Sequence, residues 1–180
     1  MASLDSASVS VEWIREFVPR WLDAWNSHDA DRVLELLTED VEIRDDSWPK
    51  TMHGHRDVRE FLEALWRAVP DMTFELLAGP YVIPDEPCAS FHWRGSGTFT
   101  GRMDPPGFAP TGKRWEVDGV DFQEYRDGRI AKLRVIFDLM TVSRQLGVMP
   151  ATGSRAERAM AAAQRGVVRT QQAFRRRRAA

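Results

Sequence analysis

A chain of 180 residues, 43% hydrophobic and with seven tryptophans, has material for one domain with a sizeable core and some length to spare. Its formal charge of −2 is unevenly placed: from Ser154 onward eight arginines stand against one acid, Glu157, giving +7 there and −9 on the first 153 residues. An acidic body is a poor surface for nucleic acid or anionic membrane, the single Cys88 excludes an internal disulfide framework or a thiol cluster for zinc, and no apolar run approaches the ~20 residues of a membrane span.

"MASLDSASVSVEW" lacks the basic start and apolar stretch of a signal peptide, so the expectation is a flexible N-terminus over residues 1–10 and a soluble, cytoplasmic protein. Residues 11–27 then read as an amphipathic helix, with Trp13, Phe17, Trp21 and Trp25 every fourth residue. "NSHD" breaks it, and Asp29 is placed to cap a short helix, "ADRVLELL". "DVEIRD" alternates as a strand, "DDSWPKTMHGH" is a loop, and "RDVREFLEALWRAV" is a third helix ended by Pro70.

Strands follow. "MTFELLAGPYVI" reads as a broken strand pair and "ASFHWRGSGTFTG" as one long strand. "RMDPPGFAPTGK" is a Pro/Gly-rich connection, and "RWEVDGVDFQEY" and "RIAKLRVIFDL" form a hairpin across Asp127-Gly128. Helices first and strands later predict an α+β fold, a curved antiparallel sheet wrapped over three N-terminal helices. Residues 151–180 lie beyond that core as an Ala/Arg-rich extension, part helix and part disordered; it reads either as a solvated tail or as a binder of an acidic surface.

Several residues carry possible chemistry. Val117, Gly119, Asp121 and Gln123 share one side of a strand that is apolar on its other side, at Val120 and Phe122. A buried carboxylate there must be protonated, paired, or in a polar cavity, so Asp121 is either a proton-transfer group or half of a structural ion pair. Val41, Ile43 and Asp45 share a side of the first strand, where Asp45 is either a site residue or a cap for the next turn. His92, Arg94 and Ser96 share one side of "FHWRGSG": if it is concave they converge on the acids, and if convex they face solvent or a partner. His53 and His55 have a possible metal spacing but no third ligand, so no metal site is assigned.

"WLDAWNSHDADRVLELLTEDVEIRDDSWPKTMHGHRDVREFLEAL", with "GTFTG" and "PTGKRWEVDGVDFQEYRDGRIAKLRVIFDLMTVSRQLGVMP", resembles the SnoaL-like polyketide cyclases of the nuclear transport factor 2-like superfamily over residues 11–150. The resemblance implies a cone-shaped sheet around a deep apolar pocket, dimerised through the convex face. Asp121 matches the cyclases' catalytic acid/base. In the similar ketosteroid isomerases a catalytic base falls on Asp45 and an oxyanion tyrosine near Trp21. Limonene epoxide hydrolases are similar at Arg94, but Ser96 and Val135 stand where their two aspartates would be, and Phe99 replaces the histidine common in ester cyclases.

The implied function is cofactor-independent acid/base chemistry on an apolar, carbonyl-bearing small molecule in natural-product biosynthesis, by aldol-type cyclisation or isomerisation. Asp121, Asp45, Arg94 and His92 are the expected catalytic groups. Trp21, Trp25, Ile43, Trp115, Val117, Gly119 and Val135 are the expected pocket walls. The alternatives are a non-catalytic binding or assembly module of the same fold, or an epoxide hydrolase or dehydratase in the same pocket.

Overall fold

The computed structural model describes residues 9–179. Residues 1–8, most of the expected flexible N-terminus, lie outside the described residues; Ser10 already belongs to the fold, accepting from Trp13 N at 3.1 Å as the N-cap of α1. The elements are α1 (Val11–Asn26), α2 (Ala30–Leu34), β1 (Leu37–Asp45), β2 (Met52–His53), α3 (Gly54–Ala68), β3 (Thr73–Val82), β4 (Cys88–Thr98), β5 (Arg114–Arg126), β6 (Arg129–Phe137), α4 (Leu139–Leu146) and α5 (Arg155–Ala179).

The fold is α+β: a six-stranded curved open sheet in the order β2-β1-β6-β5-β4-β3, with helices packed on its concave side. It is not wholly antiparallel. β1 runs parallel to β6 because the chain crosses from one side of the sheet to the other through α3 and three strands before β6 returns beside β1. The β5–β6 hairpin turns at Asp127 and Gly128, with φ 53° and 72°, the left-handed pair that such a two-residue turn requires.

α1 buries Ile14, Phe17, Val18, Trp21 and Leu22 against the sheet, the i, i+3, i+4 stripe of an amphipathic helix. Its last residue, Asn26, exchanges two hydrogen bonds with the Phe74 backbone (2.7 and 2.8 Å), which pins the helix end to β3. α3 packs on β1 in the same manner.

Three elements differ from the sequence expectation. β3 is one strand rather than a pair; irregular register at Leu76–Tyr81 lets it bend without a turn. α4 appears where no helix was expected, capped by Asp138 and ended by Gly147. α5 is one helix over residues expected to be partly disordered; it makes no substantial packing contact with another element among the described residues. Arg144 and Glu157, 3.4 Å apart, join it to α4.

Candidate active site

The strand register brings the two acids together. Asp45 on β1 pairs with Val135 on β6, and Val135 pairs with Asp121 on β5. The three form one cross-strand row, so Asp45 and Asp121 project from the same side of the sheet two strand spacings apart, ~10 Å between Cα atoms. Both line a cavity of about 220 Å³ between the sheet, α1 and α4. Its other walls are almost entirely apolar, with Trp25, Phe74, Trp93, Trp115, Val117 and Phe137 among them and only Ser47 and Ser143 as further polar side chains.

Asp121 is 5% exposed and receives three neutral N–H donors. Trp93 Nε1 donates to Oδ1 at 2.8 Å, while Trp21 Nε1 and Gln123 Nε2 donate to Oδ2 at 3.1 and 3.2 Å. Tyr125 in turn donates its hydroxyl hydrogen to Gln123 Oε1 at 2.6 Å. Burial pushes the Asp121 carboxyl up to about 6, against the lowering pull of the three donors and with some help from the charge of Asp45. A buried acid that titrates near neutrality can both take and return a proton.

Asp45 is 8% exposed. Its Oδ1 accepts from Ser47 N at 2.8 Å and Ser47 Oγ at 2.6 Å, so it does cap the turn after β1. Its Oδ2 has no hydrogen-bond partner among the described residues. Burial again raises the carboxyl, outweighing the two Ser47 donors; the neighbouring Asp46 charge adds to the rise and Arg134 opposes it. Arg134 is committed outside the cavity to a bidentate pair with Asp46 (2.9 and 2.6 Å).

Of the expected wall residues, Trp21, Trp25, Trp115, Val117 and Val135 line the cavity. Four expectations of place are corrected. Ile43 is core rather than wall: it is buried in the row next to that of Asp45, and of that row it is Leu133 that reaches the cavity. Gly119 lies under the Trp93 ring, which fills the space its missing side chain leaves. Arg94 and His92 point away from the cavity: β4 alternates with Phe91, Trp93 and Gly95 inward, which turns His92 and Arg94 to the outer face. There Arg94 Nε donates to Asp118 Oδ1 at 2.7 Å, and His92 lies 3.8 Å from the same carboxylate.

Trp93, Ser47, Gln123 and Tyr125 were not picked out from the sequence as site residues. For Trp93 the signal was present in "FHWRGSG", since the apolar half of an alternating strand belongs inside. The connection after β4 supplies Met103, Pro106 and Phe108 to the rim, and α4 supplies Val142 and Leu146. Gln145 exchanges two hydrogen bonds with the Glu116 backbone (2.8 and 3.0 Å), and Thr111 Oγ1 donates to Leu146 O at 2.7 Å, which fastens α4 over that end of the sheet.

His53 closes β2 and His55 lies in the first turn of α3; no group of three or more His, Cys, Asp or Glu among the described residues could hold a metal ion. No helix among them is long and apolar enough to cross a membrane.

No curated protein sequence matches the chain. Solved structures share its fold. AclR from Streptomyces galilaeus, a candidate hydroxylase, is 17% identical over 90% of this chain and 98% of its own, with a TM-score of 0.66. TsrD from Streptomyces laurentii is 21% identical over 78% and 99%, with a TM-score of 0.67. A candidate SnoaL-like polyketide cyclase from Jannaschia sp. CCS1 is 18% identical over 83% and 100%, with a TM-score of 0.66. At these identities the likeness is one of fold. The family model described as "SnoaL-like domain" matches residues 18–133, from the middle of α1 through most of β6, and the chain belongs to that family.

Proposed function

We propose that the protein is a cofactor-independent acid/base enzyme of the polyketide-cyclase kind, acting on an apolar small molecule that carries a carbonyl group. The observation that supports this most is the single row Asp45–Val135–Asp121, two raised carboxyls in one apolar cavity. Asp121, ionised and facing the cavity, takes a proton from the carbon next to the carbonyl. The C–H electron pair becomes the C=C bond of an enolate as the carbonyl π pair moves to oxygen, and Asp45 in its acid form holds that oxygen by a hydrogen bond while keeping its own proton. The enolate carbon then attacks a second carbonyl of the same molecule, forming the ring bond, and Asp121 returns its proton to the new alkoxide. Reprotonation at a different carbon would give isomerisation instead.

Arg94 and His92 have no part in this scheme. The indole N–H of Trp25 has no partner among the described residues and is a further donor in the cavity wall. The apolar walls exclude water, which strengthens each of these interactions. On the outer face Phe122 and Ile136 remain 49% and 47% exposed, and we place pairing with a second copy there.

The test needs no knowledge of the natural substrate. In deuterated buffer, aryl alkyl ketones, which exchange slowly by themselves near neutral pH, should take up deuterium beside the carbonyl faster when the protein is present, followed by mass spectrometry. Asp121→Asn should lose this uptake while keeping the fold; uptake undiminished in that variant overturns the assignment. The second reading is a binding module, because three protein donors satisfy Asp121 without any substrate. Ligands that raise the melting temperature of wild type and Asp121→Asn alike, with no uptake in either, would establish it.

A further inference from the structure

We infer that Gln123 and Tyr125 are positioning residues: the Tyr125 hydroxyl locks the Gln123 amide with its N–H toward Asp121 and so holds Asp121 in its carboxylate form. Asp121, Gln123 and Tyr125 are alternate residues of β5 and share its inner side. Gln123 is 1% exposed and Tyr125 6%, so neither can turn to water for a missing partner.

The two ends of the Gln123 amide are not interchangeable. In the observed orientation the Tyr125 O–H donates to Gln123 Oε1 and Gln123 Nε2 donates to Asp121 Oδ2, so every donor meets an acceptor. Rotating the amide by half a turn would point Oε1 at a carboxylate oxygen, acceptor against acceptor. It would also point Nε2 at the Tyr125 oxygen and leave the phenol hydrogen with no acceptor. A buried hydroxyl without an acceptor forfeits its hydration with nothing in return. The rotated amide therefore suits only a protonated Asp121, whose O–H could donate to Oε1, and Tyr125 opposes that arrangement.

Tyr125 is fit for this task because its own proton does not leave. Burial, and the charge of Asp121, raise its hydroxyl far above the ordinary phenol range. Its ring is held edge-on by Trp13 and Phe17 on α1, with centroids 5.1 and 5.3 Å away. The groups facing Asp121 are neutral donors from α1 (Trp21) and β4 (Trp93), with Asp45 on β1 as the titratable group across the cavity. Cys88 of β4 lies beside Tyr125, its thiol pushed up by burial and by Glu86. No lysine or arginine among the described residues hydrogen-bonds Asp121, Gln123 or Tyr125, so the relay is the adjustable part of the Asp121 environment.

The inference rests on the proposed reading for its purpose, but its test uses the free protein. Protein labelled with ¹³C at aspartate carboxyls is titrated by NMR, with Asp121 assigned by its loss in Asp121→Asn. The indole ¹⁵N–¹H signals of Trp21 and Trp93 should follow the same midpoint. Tyr125→Phe keeps the ring between Trp13 and Phe17 and should raise the Asp121 midpoint by about one pH unit, a tenfold gain in proton affinity. Gln123→Glu should raise it further, since two carboxyls in contact cannot both ionise readily.

A midpoint unchanged or lowered in folded Tyr125→Phe overturns the inference. If that variant does not fold, Gln123→Met reads the same bond from its other end, and an unchanged midpoint there has the same force. Loss of the catalytic reading would look different: deuterium uptake indifferent to Asp121→Asn, with the Tyr125→Phe midpoint still displaced.

Discussion

Trp93 and Gly119 are cross-strand partners, and the Trp93 indole lies over the glycine with Cζ2 and Cη2 2.4 Å from where a Cβ would stand. The same indole donates to Asp121 at 2.8 Å. The glycine thus serves the carboxyl indirectly, by giving its donor a seat against the sheet. Gly-to-Ala within a strand ordinarily gains stability, because glycine loses more freedom on folding. Here the methyl has no room, so Gly119→Ala should instead destabilise by about 1–3 kcal/mol, the usual cost of overpacking. It should also raise the Asp121 midpoint as the indole is displaced. Denaturant unfolding and the carboxyl titration check both, and a stabilised variant with an unmoved midpoint would refute the contact.

A second prediction concerns stability against pH. Burial pushes the Asp121 carboxyl up to about 6, from the ~3.9 of an aspartate in water. The folded protein therefore binds this proton more tightly than the unfolded chain does. The resulting stabilisation is fully present below pH ~4 and is lost as the pH rises through ~6, a swing of roughly 3 kcal/mol. Asp121→Asn removes that dependence, so its stability relative to wild type should improve from pH 4 to pH 8. Asp45, also raised, leaves part of the slope in place. Urea unfolding of both proteins at the two pH values measures the difference, and a constant difference would contradict the buried carboxylate.

The sequence made the Asp121 strand legible because alternation and the Asp-Gly turn fix register locally. Its side followed from Val117 and Gly119, and the site itself was half visible through the resemblance. What alternation could not say was which half of β4 faces inward; that depends on β4 pairing with β5, a non-local fact. Arg94 and His92 looked convergent, yet a guanidinium facing an apolar cavity would be costly, and it pairs with Asp118 outside. The bonds that fasten α4 were likewise hidden: Gln145 and Thr111 sit in short motifs whose partners are 29 and 35 residues away. β1 beside β6 in parallel is a long-range closure with no local signal.

Deletion of residues 154–180 should leave the rest of the fold intact. Met160, Val167 and Phe174 are 45%, 57% and 64% exposed along α5, and the helix is joined to the body mainly through Glu157. With so little buried, its removal should lower the far-ultraviolet helix signal but shift the melting temperature by no more than about 2 °C. Circular dichroism and calorimetry on the truncated protein test this. A large loss of stability would mean that α5 is part of the core packing.

The outward turn of Arg94 gives the last prediction. Its guanidinium is tied to Asp118, with Glu116 3.8 Å away, and all three lie on the side of the sheet opposite the cavity. Exposed pairs of this kind add little to stability and are screened by salt. Arg94→Ala should therefore keep the wild-type rate of deuterium uptake and its pH profile, with only a small change in melting temperature. Asp121→Asn and Arg94→Ala measured side by side separate the two assignments the sequence left open. If Arg94→Ala lost uptake while Asp121→Asn kept it, the chemistry would have to move to the convex face. The row Asp45–Val135–Asp121 would then be a buried polar feature of the core, held by Trp21, Trp93 and Gln123 alone.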